Sequence, residues 1–407
     1  MRREDYFLPD LVRILKKHNL QNIFDVGCNN RYLIKEFLKN SFEYKGGDID
    51  SKFVESNILT YGPKFIYFDV TTDPVPENTD VIFCRDILLG FSLGSIIKSL
   101  NNFKKSKAKY LLITTFINRA FKEEVCWNPV CLFGKPFGFC VPLELINELW
   151  NHLNYTYMDK SLGLWRISDI PDFIPLKIYQ TWHSKELPEI LKTTGETIRR
   201  ENPSFEHYVY NINECEKFIS ANFDERVINA YKRLVPMSYK SDLWRYCILY
   251  INGGIYLDIS FKPINDFKFS ELIHKEHYSA EVSNLMGHGS DPYAGVSVGI
   301  LAVRPGNEYL RKSIFKIVEN VETENYGKGV YDVSSATLFG SFFSLEEKKK
   351  LTYLKRSVRS DLNGYTLNGR DILNRLKEYD DGLPGRTRGV HEYSIHWRNR
   401  TAFAKKI

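Results

Sequence analysis

Residues 237–262 read MSYKSDLWRYCILYINGGIYLDISFK, an apolar run holding a few isolated charges. Asp242 and Arg245 stand three positions apart, which places both on one face of a helix. The Gly253-Gly254 pair permits a tight turn out of that helix, and the strand that follows delivers Asp258 to its end. Two positions on, where a second acid would complete an Asp-x-Asp pair, the chain has Ser260. A carboxylate at a strand end is a hard oxygen ligand for Mg2+ or Mn2+, and such an ion clamps a diphosphate. Negative charge builds on the diphosphate when a sugar leaves it, and a cation lying against it stabilises that charge. Ser260 keeps a hydroxyl able to reach a metal-bound water but carries no charge. The other reading is that a Lys or Arg near the diphosphate compensates for weaker metal binding, with Lys262 a candidate.

A second set of chemical residues lies in the first half. FDVGCNN places Asp25 and Gly27 at the end of one strand, GGDID places Asp48 at the next, YFDV places Asp69 and CRD places Asp86. Ligands of open α/β sheets sit at the carboxyl ends of strands, where a glycine lets the backbone approach and an acid accepts from ribose hydroxyls. The competing reading is that these acids cap the helices that follow. Past residue 175, the strand KIYQTW ends in Gln180, Thr181 and Trp182, an amide, a hydroxyl and a ring suited to a nucleotide base.

These residues need a scaffold, and the punctuation supplies one. NIFDVG, YKGGDID, KFIYFDV, DVIFCRD and KYLLITTF are short β-prone runs, with helical patterns over 31–40 and 92–103. Strands alternating with helices predict a parallel, doubly wound sheet. Prolines and turn residues in LWRISDIPDFIPLK close this block, so the expected division is 1–172 and 173–407, both α/β. The chain has 407 residues, a formal charge of +6, 43% hydrophobic and 26% charged residues, the composition of a globular protein. The mild positive charge suits an anionic small ligand, and no basic arm points to nucleic acid. No run is long and apolar enough for a transmembrane helix, and MRREDYFLPD lacks the apolar stretch of a leader, so a cytoplasmic protein is expected. The seven cysteines (28, 84, 126, 131, 140, 215 and 247) read as buried reduced thiols, since 126, 131 and 140 lack C-x-x-C spacing.

The first half resembles the class I S-adenosylmethionine-dependent methyltransferases, through DVGC, GDI, FDVTTDPVPENTDVIFCRDIL and KYLLITTF. That resemblance implies a Rossmann-like domain binding S-adenosylmethionine, with Asp25 and Gly27 at the methionine moiety, Asp48 at the ribose, Asp69 at the adenine amine and Asp86 completing the site. Asn29 and Arg31 replace two glycines of the usual loop. The second half resembles glycosyltransferase family 32, which has a GT-A fold, through IPLKIYQTWHS, KSDLWRYCILYINGGIYLDIS, VGILAVRPGNEYL and SIHWRN. It implies transfer of a sugar, with retention, from a UDP- or GDP-linked donor to a glycan acceptor, and a methyltransferase domain that O-methylates the glycan. Asp242 and Arg245 would serve the donor site, Asp258, Ser260 and His396 the metal, and Gln180, Thr181, Trp182, Tyr256 and Trp397 the donor. Asp291 in GHGSDPYAG is a candidate acceptor contact, and Ser334, Ser335 and Thr337 are candidates near the donor sugar. His183, His207 and His274 read as structural. The competing functions are a methyltransferase with a glycan-binding, inactive second half and a non-catalytic scaffold.

Overall fold

The computed structural model describes residues 4–122, 127–148, 150–152, 155–280, 293–359, 361–383 and 393–405. The chain forms two units, Met1–Phe173 and Ile174–Ile407. Each is α/β, the class expected.

In the first unit, strands β1 (Asn22–Val26), β2 (Glu43–Asp48), β3 (Phe65–Tyr67), β4 (Val81–Cys84) and β5 (Tyr110–Phe116) are followed by β6 (Glu144–Asn147), β7 (Trp150–His152), β8 (Tyr155–Tyr157) and β9 (Lys160–Arg166). Seven of them hydrogen-bond in the order β3-β2-β1-β4-β5-β9-β6, and β7 pairs with β8 alone. Neighbours from β3 to β5 run parallel, while β9 is antiparallel to β5 and β6. Helices Arg31–Lys39 and Leu93–Lys104 lie where their periodicity predicts. The strand order reverses between β1 and β4, so a crevice opens beyond their carboxyl ends. The core under it packs Phe37, Tyr44, Phe83 and Leu112 against Phe7 and Leu11 of the first helix.

The second unit has one mixed sheet. Its strands are β10 (Lys177–Thr181), β11 (Glu206–Tyr210), β12 (Gly254–Leu257), β13 (Phe261–Pro263), β14 (His277–Ala280), β15 (Val296–Val303), β16 (Leu354–Val358), β17 (Asn363–Leu367) and β18 (Arg370–Arg375). They hydrogen-bond in the order β11-β10-β12-β15-β14-β16-β17-β18-β13. β12 is third in this order and β13 last, yet only Asp258, Ile259 and Ser260 separate them in sequence. So short a link forces the sheet to curl round on itself, and the curl makes a cleft around those three residues.

The helix Met237–Asn252 is buried on nearly all sides, which is why its sequence is apolar without a clear stripe. Trp244, Tyr246, Cys247, Ile248 and Leu249 are fully buried in the main core, each large apolar side chain contributing about 2 kcal/mol by leaving water. Gly253 ends the helix at φ +61°, its N–H donating to the Leu249 carbonyl. A β-carbon on Gly254 would lie 2.8 Å from the Lys177 carbonyl oxygen, so the second glycine allows β12 to seat beside β10.

Of the cysteines, 28, 84, 131, 215 and 247 are buried as expected, whereas Cys140 is exposed. Cys126 and the stretch holding Asp291 lie outside the described residues. Among the described residues, no helix is long and apolar enough to cross a membrane.

Candidate functional site

The curled sheet of the second unit and the Met237–Asn252 helix enclose a cleft of about 500 Å3. Its floor carries the charged residues of the opening motif. Arg245 is the hub. Its Nη2 lies 3.2 Å from Asp242 Oδ1 and its Nη1 lies 3.3 Å from Asp258 Oδ1, while Nη1 also donates to the Val298 carbonyl at 2.6 Å. The guanidinium sits over the Tyr256 ring at 4.2 Å. Burial works against its charge, but Tyr256, Asp258 and Asp242 hold its pKa above the ordinary arginine value.

The two acids differ in setting. The Asp242 side chain is 5% exposed and accepts from Ser334 Oγ at 2.8 Å. Burial pushes its pKa up to about 6, against the lowering effects of Arg245 and Ser334. The Asp258 side chain is 33% exposed and faces the cleft. Tyr256 donates its hydroxyl to Asp258 Oδ1 at 2.8 Å. Both protein contacts therefore fall on Oδ1, and Oδ2 is left for a ligand. Ser260 lines the same floor.

A divalent ion can be tested against this donor set. Among the described residues there is no group of three or more His, Cys, Asp or Glu side chains able to hold a metal. The protein offers Asp258 Oδ2 and the Ser260 hydroxyl. That fits an ion of the Mg2+ or Mn2+ kind, which binds through one or two protein oxygens when substrate phosphates and waters complete its shell.

Not every expected residue reaches the cleft. Thr181, Trp182, Tyr256 and Ser335 line it, as does His183, read from sequence as structural. Gln180 does not. It is buried in the sheet with its Oε1 2.8 Å from His207 Nε2, an interior pair between β10 and β11. His396 and Trp397 are also outside the lining: His396 Nδ1 lies 2.9 Å from Thr401 Oγ1, and Trp397 Nε1 donates to the Tyr326 carbonyl. The C-terminal helix instead turns Tyr393 to the cleft. Lys262 is exposed on β13, because alternation sends the neighbour of the buried Phe261 to the other face. Arg356, Tyr365, Arg375 and Tyr379 line the cleft without any signal in their local sequence.

In the first unit, Asp25, Gly27 and Asp86 surround a cavity of about 120 Å3 at the reversal point between β1 and β4. Asp25 is buried, accepts from Tyr44 Oη at 2.6 Å, and has its pKa pushed up to about 7, burial outweighing Tyr44. Arg85 and Asp86 of the lining join Glu148 and Lys160 in an ion network, with Lys160 Nζ 2.7 Å from Glu148 and 2.6 Å from Asp86. Asp48 and Asp69 are outside the lining. β3 stops at Tyr67, and Asp69 lies in the turn beyond it, its carboxylate accepting from the Thr71 N–H and hydroxyl. These bonds lower its pKa. The cavity is well under the about 300–1,000 Å3 of a typical small-molecule site. A β-carbon on Gly27 would fall 2.0 Å from Ile87 Cδ1, so the space this glycine leaves is filled by the protein itself. As placed, these residues do not fit S-adenosylmethionine.

Comparison with known proteins bears on the second unit. Residues 188–279 match the family model described as "Glycosyltransferase sugar-binding region containing DXD motif", a span holding Asp242, Arg245, Asp258 and Ser260. The chain is similar to the initiation-specific alpha-1,6-mannosyltransferase of Candida albicans, 31% identical over 109 residues, which are 24% of this chain and 28% of the relative. It is also similar to the uncharacterized glycosyltransferase L373 of Acanthamoeba polyphaga mimivirus, 30% identical over 99 residues, 23% of this chain and 39% of the relative. The chain spans about half or less of the length of the curated relatives it matches. Among solved structures, the methyltransferase domain of bacterial CtHen1 is 14% identical with a TM-score of 0.30, covering 40% of this chain and all of that one. The stretch of similarity to the glycosyltransferase model thus lies in the second unit and includes the charged floor of the cleft.

Proposed function

We propose that the second unit transfers a hexosyl group from a UDP- or GDP-linked donor to a glycan acceptor, with the retention that family 32 resemblance implies. The observation carrying this reading is the cluster Asp242–Arg245–Asp258 at the floor of the cleft, with one carboxylate oxygen left open beside Ser260. A scaffold gives no reason to bury the Asp242–Arg245 pair beneath a part-exposed Asp258, since taking ions out of water costs several kcal/mol each.

Each residue has a part derived from its contacts. Arg245 fixes the Asp258 carboxylate through Oδ1, and Tyr256 restrains the same oxygen. Asp242 anchors Arg245 from inside the helix, and Ser334 holds Asp242. Asp258 Oδ2 and Ser260 would hold a divalent ion, which supplies Lewis-acid stabilisation to a departing diphosphate. Trp182 and Thr181, at the carboxyl end of β10, would flank the donor's base. Asp242 and Ser335, both in the lining, would meet the donor sugar. No methyl-transfer step is assigned to the first unit, whose residues do not fit the methyl donor.

The test is Asp258→Asn, which keeps the shape and an acceptor for Tyr256 while removing the charge. Donor hydrolysis and sugar transfer are expected to fall by about 100-fold or more, with the fold intact by circular dichroism. Undiminished turnover refutes the assignment.

A further inference from the structure

The cleft provides little for a cation and much for an anion. Among the described residues, Asp258 is the acid of the lining with an oxygen left open, and Arg245 lies against it at 3.3 Å. Site affinity for a hard divalent ion follows the charge its ligands supply. Here that charge is one carboxylate, partly neutralised, with a hydroxyl where Asp-x-Asp would give a second acid.

Two guanidinium groups line the same cleft from the far end of the curled sheet. Arg375 ends β18, and the pairing of β18 with β13 sets it opposite Phe261, next to Ser260. The Leu376 N–H donates to the Ser260 carbonyl at 2.8 Å, fixing that placement. Arg356, on β16, donates to the carbonyls of Gly364 at 2.7 Å and Ser357 at 2.9 Å and to Asn363 Oδ1 at 2.5 Å. Its guanidinium also rests over the rings of Tyr365 at 5.2 Å and Phe261 at 5.6 Å. All of these partners are neutral, so they hold the fork in place without cancelling its charge. Among the described residues of the lining, the cations are Lys240, Arg245, Arg356 and Arg375, and the acids are Asp242 and Asp258, both held by Arg245.

We infer that Arg356 and Arg375 clamp the donor's diphosphate, so that a nucleoside diphosphate binds this cleft without a divalent ion. Guanidinium groups match phosphate oxygens in paired hydrogen bonds, and a fork already fixed by neutral acceptors loses little freedom on binding. Of the Lys or Arg expected near the diphosphate, the candidate Lys262 is exposed on β13, and two arginines line the cleft in its stead. The inference rests on the glycosyl-transfer reading and adds to it the means by which the leaving group is held.

The experiment titrates the full chain with GDP, UDP and their monophosphates by calorimetry, in EDTA and in Mn2+. For the preferred base, the wild type is expected to bind the diphosphate in EDTA within about threefold of its affinity in Mn2+. Arg356→Gln and Arg375→Gln are each expected to weaken diphosphate binding in EDTA by about tenfold or more, while monophosphate binding changes little. Arg356→Lys, which keeps the charge, is expected to recover part of the loss. Circular dichroism checks the fold of each variant, and Arg375→Gln leaves the Arg356 hydrogen bonds in place should Arg356→Gln misfold. Wild-type binding seen only with Mn2+, or variants that bind as the wild type does, overturns the clamp and leaves the glycosyl-transfer reading standing. Failure of both diphosphates to bind in either condition overturns both.

Discussion

Arg245→Met is the sharpest perturbation of the second unit. The change keeps much of the aliphatic volume and removes the charge joining Asp242 to Asp258. It also takes away a hydrogen bond to the Val298 carbonyl and the stacking on Tyr256. Breaking a buried ion pair by deleting one partner costs about 3–5 kcal/mol, mostly because the remaining charge stays buried. That cost depends on pH, and the sign follows from Asp242. Its folded pKa stands at about 6, above the 3.8 of an ordinary aspartate, raised by burial and held back by Arg245. A raised carboxylate costs no stability below its unfolded pKa, a growing amount as pH climbs toward its folded pKa, and a constant amount above. Without Arg245 the folded pKa moves higher still, so the variant loses further stability over pH values where the wild type has levelled off. The expected deficit is about 3–5 kcal/mol near pH 8 and about 1–2 kcal/mol near pH 5, where Asp242 is largely protonated in both proteins. Urea unfolding of the full chain followed by tryptophan fluorescence measures it, since Trp244 adjoins the site on the same buried helix. A deficit equal at the two pH values, or below about 1 kcal/mol near pH 8, refutes the reasoning.

Ser260→Asp restores the missing charge and should tighten Mn2+ binding by about tenfold, read as the Mn2+ midpoint of donor hydrolysis; an unmoved midpoint removes Ser260 from the ion's surroundings. Asp25→Asn relieves a buried acid whose folded pKa is about 7, so the variant should gain stability near pH 8, by at most about 4 kcal/mol, and gain nothing near pH 4, as paired thermal melts would show. The wild type should show no calorimetric binding of S-adenosylmethionine at millimolar ligand, and Ile87→Ala, which empties the space beside Gly27, should bind it more tightly than the wild type does; micromolar wild-type binding overturns the steric argument.

What could be read in advance was local. The helix, glycine pair and strand that place Asp242, Arg245 and Asp258 occupy consecutive residues, and each step leaves its own mark: helical spacing, a break, a β-prone run. The first-unit strands were legible for the same reason, as short apolar runs between turns. Asp69 misled because a carboxylate that ends a strand and one that seizes the next N–H groups look alike in sequence; Thr71 decided between them. Gln180 carried no mark of its partner His207, which sits on the neighbouring strand. Arg356 and Arg375 were hidden more deeply. The place of Arg375 beside Ser260 depends on β13 pairing with β18, more than a hundred residues further along the chain, and Arg356 reaches the same cleft from β16. No window of sequence contains both partners of such a pair.

The compactness of the Met237–Ser260 segment has a bearing on how this protein can diverge. Helix, bend and strand form one covalent hairpin, so the three charges keep their mutual spacing however the remaining loops are rebuilt. Changes in outlying strands and loops then leave that spacing untouched. The 92 residues matched by the family model, 188–279, contain that segment whole.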